Sequence, residues 1–152
     1  MLNILSKLLI GVAITVSMAF GADDPFLGTW KLNVEKSTLD PAQPKPKSMT
    51  ETYEPVEGGV KWTATVERLD GTPVAPSTYT AKYDGEDYPV KMGTSDSIAI
   101  KRVDANMHTF IVKENGKVVM TGRERVSGNT LTKTAKGTEA GGKPLKYVLD
   151  KQ

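Results

Sequence analysis

The residues with chemistry to offer in this 152-residue chain are few, and they fall at alternate positions of short apolar segments. Glu51, Arg68, Arg102, His108, Glu124 and Lys133 share their alternation parity with Tyr53, Trp62, Tyr79, Phe110 and Met120 and their apolar neighbours. In an extended strand, parity is a face, so these polar groups point where a core should be. A charge placed there needs a partner, water or a ligand, because burying it alone is costly. Two arrangements meet that need: strand ends where the side chain reaches solvent, or a wet interior cavity. Glu51 and Glu124 have the types for a general acid–base pair, but nothing local marks either as perturbed. His108 is the only histidine and begins a segment directly after a turn, which reads as a solvated rim position. The competing role for a lone imidazole is an axial ligand to a metal or haem.

Most other chemistries are excluded by what the chain lacks. It has no cysteine, so neither disulfides, a lipid-bearing N-terminal cysteine nor a Cys/His zinc site can form. No Asp-x-Asp-x-Asp run offers a calcium loop, and Asp84-Gly85-Glu86-Asp87 is too short to replace one. Gly141-Gly142 precedes a strand-like segment rather than a helix, so it is no phosphate cradle. Lys and Arg number 20 against 18 Asp and Glu, interspersed along the chain, which leaves no basic patch for nucleic acid. No cofactor, no metal and no enzymatic activity are expected.

The elements that must position the polar residues are strands. Gly28–Val34 opens the series, and the Pro-rich stretch Glu35–Lys47 that follows can be neither strand nor stable helix. Ser48–Glu54, Val60–Leu69, Ser77–Tyr83, Ser97–Val103, His108–Glu114, Lys117–Val126, Thr130–Lys136 and Leu145–Asp150 alternate as strands, with Tyr88-Pro89-Val90 a short edge or corner. Asp70-Gly71, Asp84-Gly85 and Asn115-Gly116 are hairpin turn signals. Val118 falls on the inward face by the same count. Connections this short make sequence neighbours sheet neighbours, running antiparallel. A long meander has two exposed edges unless it closes, so the fold class is all-β, a single antiparallel up-and-down barrel of about eight to ten strands.

Residues 1–21 stand apart from that pattern. Lys7, the apolar run from Leu8 to Phe20 and the small residues around Gly21 read as a cleavable signal peptide, a helix in transit, with cleavage after Gly21. The apolar run is short of the ~20 residues of a membrane-spanning helix. Residues 22–152 form one domain of about 130 residues, enough for one core and too few for two. Losing Lys7 lowers the formal net charge of +2 by its single charge. A periplasmic or secreted protein is expected, without stable membrane insertion once the signal is removed.

The opening Gly28-Thr29-Trp30, the meander, the hairpin turns and the chain length together resemble the calycins, that is the lipocalins and the intracellular fatty-acid-binding proteins, and in fine pattern the bacterial exported proteins with a lipocalin-like domain. The resemblance implies that Gly28 and Trp30 are barrel-end structural residues. It puts Trp30 as a plug at one end, beneath a basic side chain that Lys146, Arg123 or Arg125 supplies. Two departures stand out. Fatty-acid-binding proteins carry a helical pair where Glu35–Lys47 stands, and an Arg near a Tyr over the ligand carboxylate where this chain reads Lys146-Tyr147.

The function expected is non-catalytic binding of a small apolar or amphipathic molecule inside the barrel. Tyr53, Trp62, Tyr79, Phe110 and Met120 are the expected walls, and Arg102 and Glu124 the polar contacts. The alternative is a filled barrel that binds a protein partner, an inhibitor target or envelope component, through its outer surface or the Glu35–Lys47 rim. A continuous interior cavity of ~300 Å³ or more separates the two.

Overall fold

The computed structural model describes residues 24–138 and 142–152. The signal-peptide reading of residues 1–21 falls outside the described residues. Ten strands make up the described chain: β1 (Gly28–Leu32), β2 (Pro46–Val56), β3 (Gly59–Arg68), β4 (Ser77–Lys82), β5 (Asp84–Met92), β6 (Ser95–Asp104), β7 (Met107–Glu114), β8 (Lys117–Ser127), β9 (Thr130–Gly137) and β10 (Leu145–Lys151). Every sequence neighbour pairs antiparallel, and β1 pairs with β10, so the sheet closes into a barrel with no free edge. In β3 the expected parity holds: Val60, Trp62 and Ala64 are buried while Lys61 and Thr65 are exposed. At the β7–β8 hairpin both Asn115 (φ 50°) and Gly116 (φ 74°) take positive φ, the backbone a tight two-residue turn with right-handed strand twist requires.

Cross-strand register puts the interior residues in rows. Tyr53 on β2 faces Trp62 on β3, which faces Tyr79 on β4. A second row runs His108, Glu124, Lys133, Tyr147 across β7 to β10. Phe110 faces Gly122, which faces Ala135. A Cβ on Gly122 would lie 2.3 Å from the Phe110 ring, so the missing side chain is where the ring goes.

The two ends of the barrel differ. At one end Asp24–Leu27 crosses the opening: Phe26 is fully buried, and its carbonyl accepts a 2.8 Å hydrogen bond from the Trp30 indole. Trp30 is fully buried there too. The cation over its ring is Lys151, 5.2 Å from the centroid, and not the expected Lys146, Arg123 or Arg125. Lys151 pairs directly with Trp30 across β1–β10, and its stem passes Gly28, where a Cβ would sit 3.3 Å from it. At the other end lie the β1–β2, β3–β4, β5–β6 and β7–β8 connections.

Four further expectations are corrected. Tyr88-Pro89-Val90 is the middle of a full strand, and Asp84-Gly85 begins that strand instead of turning the chain, which happens at Tyr83. The β4–β5 ladder is only Thr78↔Lys91 and Tyr79↔Val90, and Asp84 already pairs with Lys101 on β6. Pro89, with no N–H to give, sits in that sparse stretch. Val118 points outward, because a bulge opposite Val112 and Lys113 adds one residue to β8 and reverses parity before it. His108 is buried and no rim residue.

Candidate functional site

A cavity of about 220 Å³ occupies the half of the barrel away from Trp30. Its wall residues lie toward the strand ends on that side: Met49 in the first part of β2, Val66 late in β3, Ser77 at the start of β4, Met92 at the end of β5. Trp62 and Tyr79 stack at 4.9 Å and 19° to make one aromatic wall, with Phe110 on another strand and Tyr147 nearer the mouth. The three methionines Met49, Met92 and Met120 are unbranched and polarizable, suited to lining a space of irregular shape.

The floor is ionic. Lys133 Nζ lies 2.5 Å from Glu51 Oε2 and 3.1 Å from Glu124 Oε1, and all three side chains are largely or fully buried. Glu51 Oε2 also accepts the Trp62 indole N–H at 2.8 Å and the Tyr53 hydroxyl at 3.0 Å. The Tyr53 hydroxyl stands 3.5 Å from Glu124 Oε1. The Lys133 ammonium also lies 5.1 Å from the Trp62 ring and 5.6 Å from that of Tyr53. A buried charge survives on such pairing, and removing one partner leaves the others uncompensated.

The charges in this cluster move one another. Burial raises the Glu124 pKa and Glu51 adds to the rise, against the opposing pull of Lys133. Burial works against the Lys133 ammonium, but the two carboxylates outweigh it and its pKa stands above the ordinary value. Burial first, and then Glu124 and Glu51, push the hydroxyls of Tyr53 and Tyr79 well above theirs, so both stay neutral donors. With both carboxylates ionised the cluster holds one net negative charge, and with Glu124 protonated it is neutral.

The expected pocket residues are thus divided. Trp62, Tyr79, Phe110, Met120 and Glu124 line the cavity together. Tyr53 lies behind the floor, 6.3 Å from Phe26, and reaches the site through its hydroxyl. Arg102 is not with Glu124 in the cavity wall. It sits at the closed end with its guanidinium 2.7 Å from Asp24 and 4.4 Å over the Tyr83 ring. Arg68 is exposed. Lys133 and Glu51 are legible in the sequence as inward polar residues, but alternation gives no sign that they meet. Glu51 and Glu124, an acid–base pair by type, share one lysine as structural ions.

His108 belongs to the closed end. Its ring stacks on Phe26 at 3.9 Å and lies tilted by 36° against Tyr83 at 4.2 Å, and Nε2 has no hydrogen-bond partner among the described residues. Burial, with Arg102 adding to it, pushes its pKa down to about 4, so the imidazole is neutral at pH 7. Among the described residues no three His, Asp or Glu side chains group as a metal site, and no helix is long and apolar enough to cross a membrane.

No family model and no curated protein matches the sequence. Solved structures do match it in shape. A Schistosoma mansoni fatty acid binding protein in complex with arachidonic acid superposes with TM-score 0.59 at 14% identity, covering 87% of this chain and 99% of that one. As-p18, an extracellular fatty acid binding protein, gives 0.56 at 14% identity over 85% and 97%. Rv2717c from M. tuberculosis gives 0.54 at 12% identity over 84% and 93%. The likeness is one of fold, a calycin-like closed antiparallel barrel. Between β1 and β2 of this chain no helix forms, and Thr38 bridges to Lys146 on β10.

Proposed function

We propose that this protein is a non-catalytic carrier that holds a small, partly apolar molecule inside the barrel, admitted at the end opposite Trp30. The observation that carries the reading is a buried ionic cluster facing empty apolar space. In a filled barrel Glu124 and Lys133 would be covered by packed side chains, whereas here they line a cavity. At about 220 Å³ the cavity falls short of the ~300 Å³ expected of a ligand pocket, so that criterion is not met and the reading rests on the cluster and on the space being open rather than filled. The volume does set the ligand's size, well short of a long-chain fatty acid. That two similar structures are fatty acid binding proteins supports ligand binding in the barrel.

The alternative, a protein-binding rim at Glu35–Lys47, has less behind it. Leu39 packs against the core and Thr38 pairs with Lys146 in both directions, so the middle of the segment is tied to the barrel. We further propose that residues 1–21 are a signal peptide and that the mature chain works in the periplasm or outside the cell. N-terminal sequencing of the exported protein should then begin near Ala22, and recovery of the intact Met1 form in membranes would refute it.

Native mass spectrometry of protein purified from its source compartment tests the carrier reading. A co-purifying small molecule is expected, retained by Arg102→Ala, which lies outside the cavity, and lost in Trp62→Ala. A chain without bound mass that also shows no change in tryptophan fluorescence with any small apolar probe would refute it.

A further inference from the structure

Given that carrier reading, on which this inference rests, we infer that the ligand is an organic cation: an apolar body bearing an ammonium or similar donor group, and no carboxylate. Among the described residues Lys133 is the only cation lining the cavity, and its ammonium is already committed to Glu51 and Glu124. An incoming carboxylate would therefore meet two buried acids and no uncommitted cation. Inside the barrel, like charges repel with little solvent screening.

The acceptors, by contrast, are only half used. All the bonds within the cluster go to Glu51 Oε2 and Glu124 Oε1, while Glu51 Oε1 and Glu124 Oε2 take none of them. An ionised carboxylate has about four lone-pair sites, so each acid keeps capacity for a further donor. Both side chains are more than nine-tenths buried and both line the cavity. The walls suit the same chemistry: the indole of Trp62 and the rings of Tyr79 and Tyr147 border the space, and a cation is attracted to aromatic faces. Two ionised acids and one lysine leave the cluster with a single net negative charge, which a bound ammonium would balance. The ~220 Å³ of space equals the liquid volume of about seven waters, room for a short alkyl or single-ring amine.

The test is a matched series of six-carbon probes, n-hexylammonium, n-hexanol and hexanoate, titrated calorimetrically into the wild-type protein at pH 7. The expected result is hexylammonium bound at least tenfold more tightly than hexanoate, with hexanol between them. Glu124→Gln should bring the ammonium-to-carboxylate ratio toward one, and circular dichroism establishes whether that variant is folded. Hexanoate binding as tightly as hexylammonium, in a protein that also binds hexanol, overturns the cation inference and leaves the carrier reading standing. An ammonium preference unchanged in folded Glu124→Gln overturns the assignment to this cluster. Failure of all three probes to bind overturns the carrier reading itself and this inference with it.

Discussion

His108 makes stability at the closed end depend on pH, and the sign follows from its surroundings. The imidazole lies between Phe26 and Tyr83, with Arg102, Asp24 and Asp104 the charged groups around it. Burial, reinforced by Arg102, lowers its pKa from 6.5 to about 4, while the two aspartates oppose that. Above pH ~6.5 the ring is neutral in both folded and unfolded chains and the fold keeps its full stability. Between ~6.5 and ~4 the unfolded chain takes up a proton that the folded one refuses, so stability falls with pH. Below ~4 both are protonated and the loss is complete. At about 1.4 kcal/mol per pH unit the span is worth about 3 kcal/mol. Glu124 titrates in the opposite sense, since its raised pKa makes the folded state the better proton acceptor above its ordinary range. Wild type alone therefore reports a sum. The assay is urea unfolding by far-ultraviolet circular dichroism at intervals from pH 7.5 to 4, on wild type and His108→Phe, which keeps a flat ring but cannot titrate. The difference in slope isolates His108: wild type should lose about 3 kcal/mol more than the variant across the window. Parallel curves would refute the claim that the fold holds this imidazole buried and neutral.

Three further outcomes follow. Lys133→Met should destabilise the fold by about 3–5 kcal/mol at pH 7, because it leaves two acids facing each other without their cation. That loss should shrink as the pH is lowered and Glu124 protonates, which the same urea series at pH 7 and pH 5 would show. Gly122→Ala should cost at least 1–3 kcal/mol, since the new methyl meets the Phe110 ring at 2.3 Å and the Thr134 carbonyl at 2.4 Å. A thermal melt with an unchanged midpoint would contradict the close approach. Asp24→Ala removes acceptors for Arg102, the Tyr83 hydroxyl and the Phe26 amide. Arg102 is partly exposed and its pair partly screened, so the expected cost is about 1–2 kcal/mol. Amide exchange should speed up at Phe26 and Leu27 while the core strands remain protected, and uniform exchange would count against a local latch.

Alternation, turn chemistry and short connections are enough to read the barrel from the sequence, because each is a local constraint on backbone. Period-two patterning alone puts Trp62, Ala64, Phe110 and Glu124 on the inner face, and Asn115-Gly116 marks a turn that few other dipeptides can make. Local rules say which face a side chain takes but not its depth, nor what it meets across the lumen. Lys133 and Glu51 lie on β9 and β2, separated in the sheet by β10 and β1, and only closure of the sheet brings their side chains together. The bulge in β8 that turns Val118 outward comes from pairing with β7, which parity along one strand cannot register. Likewise His108 looks solvated because it begins a strand directly after a turn, and it is buried because Phe26, far away in sequence, crosses the barrel end and stacks on it. Asp24 then draws Arg102 to that end and away from the cavity, across 78 residues of chain. The chain's pattern therefore determined the barrel and the inner face. Tertiary packing decided which inward charges neutralise one another, which end is sealed, and where the empty space remains.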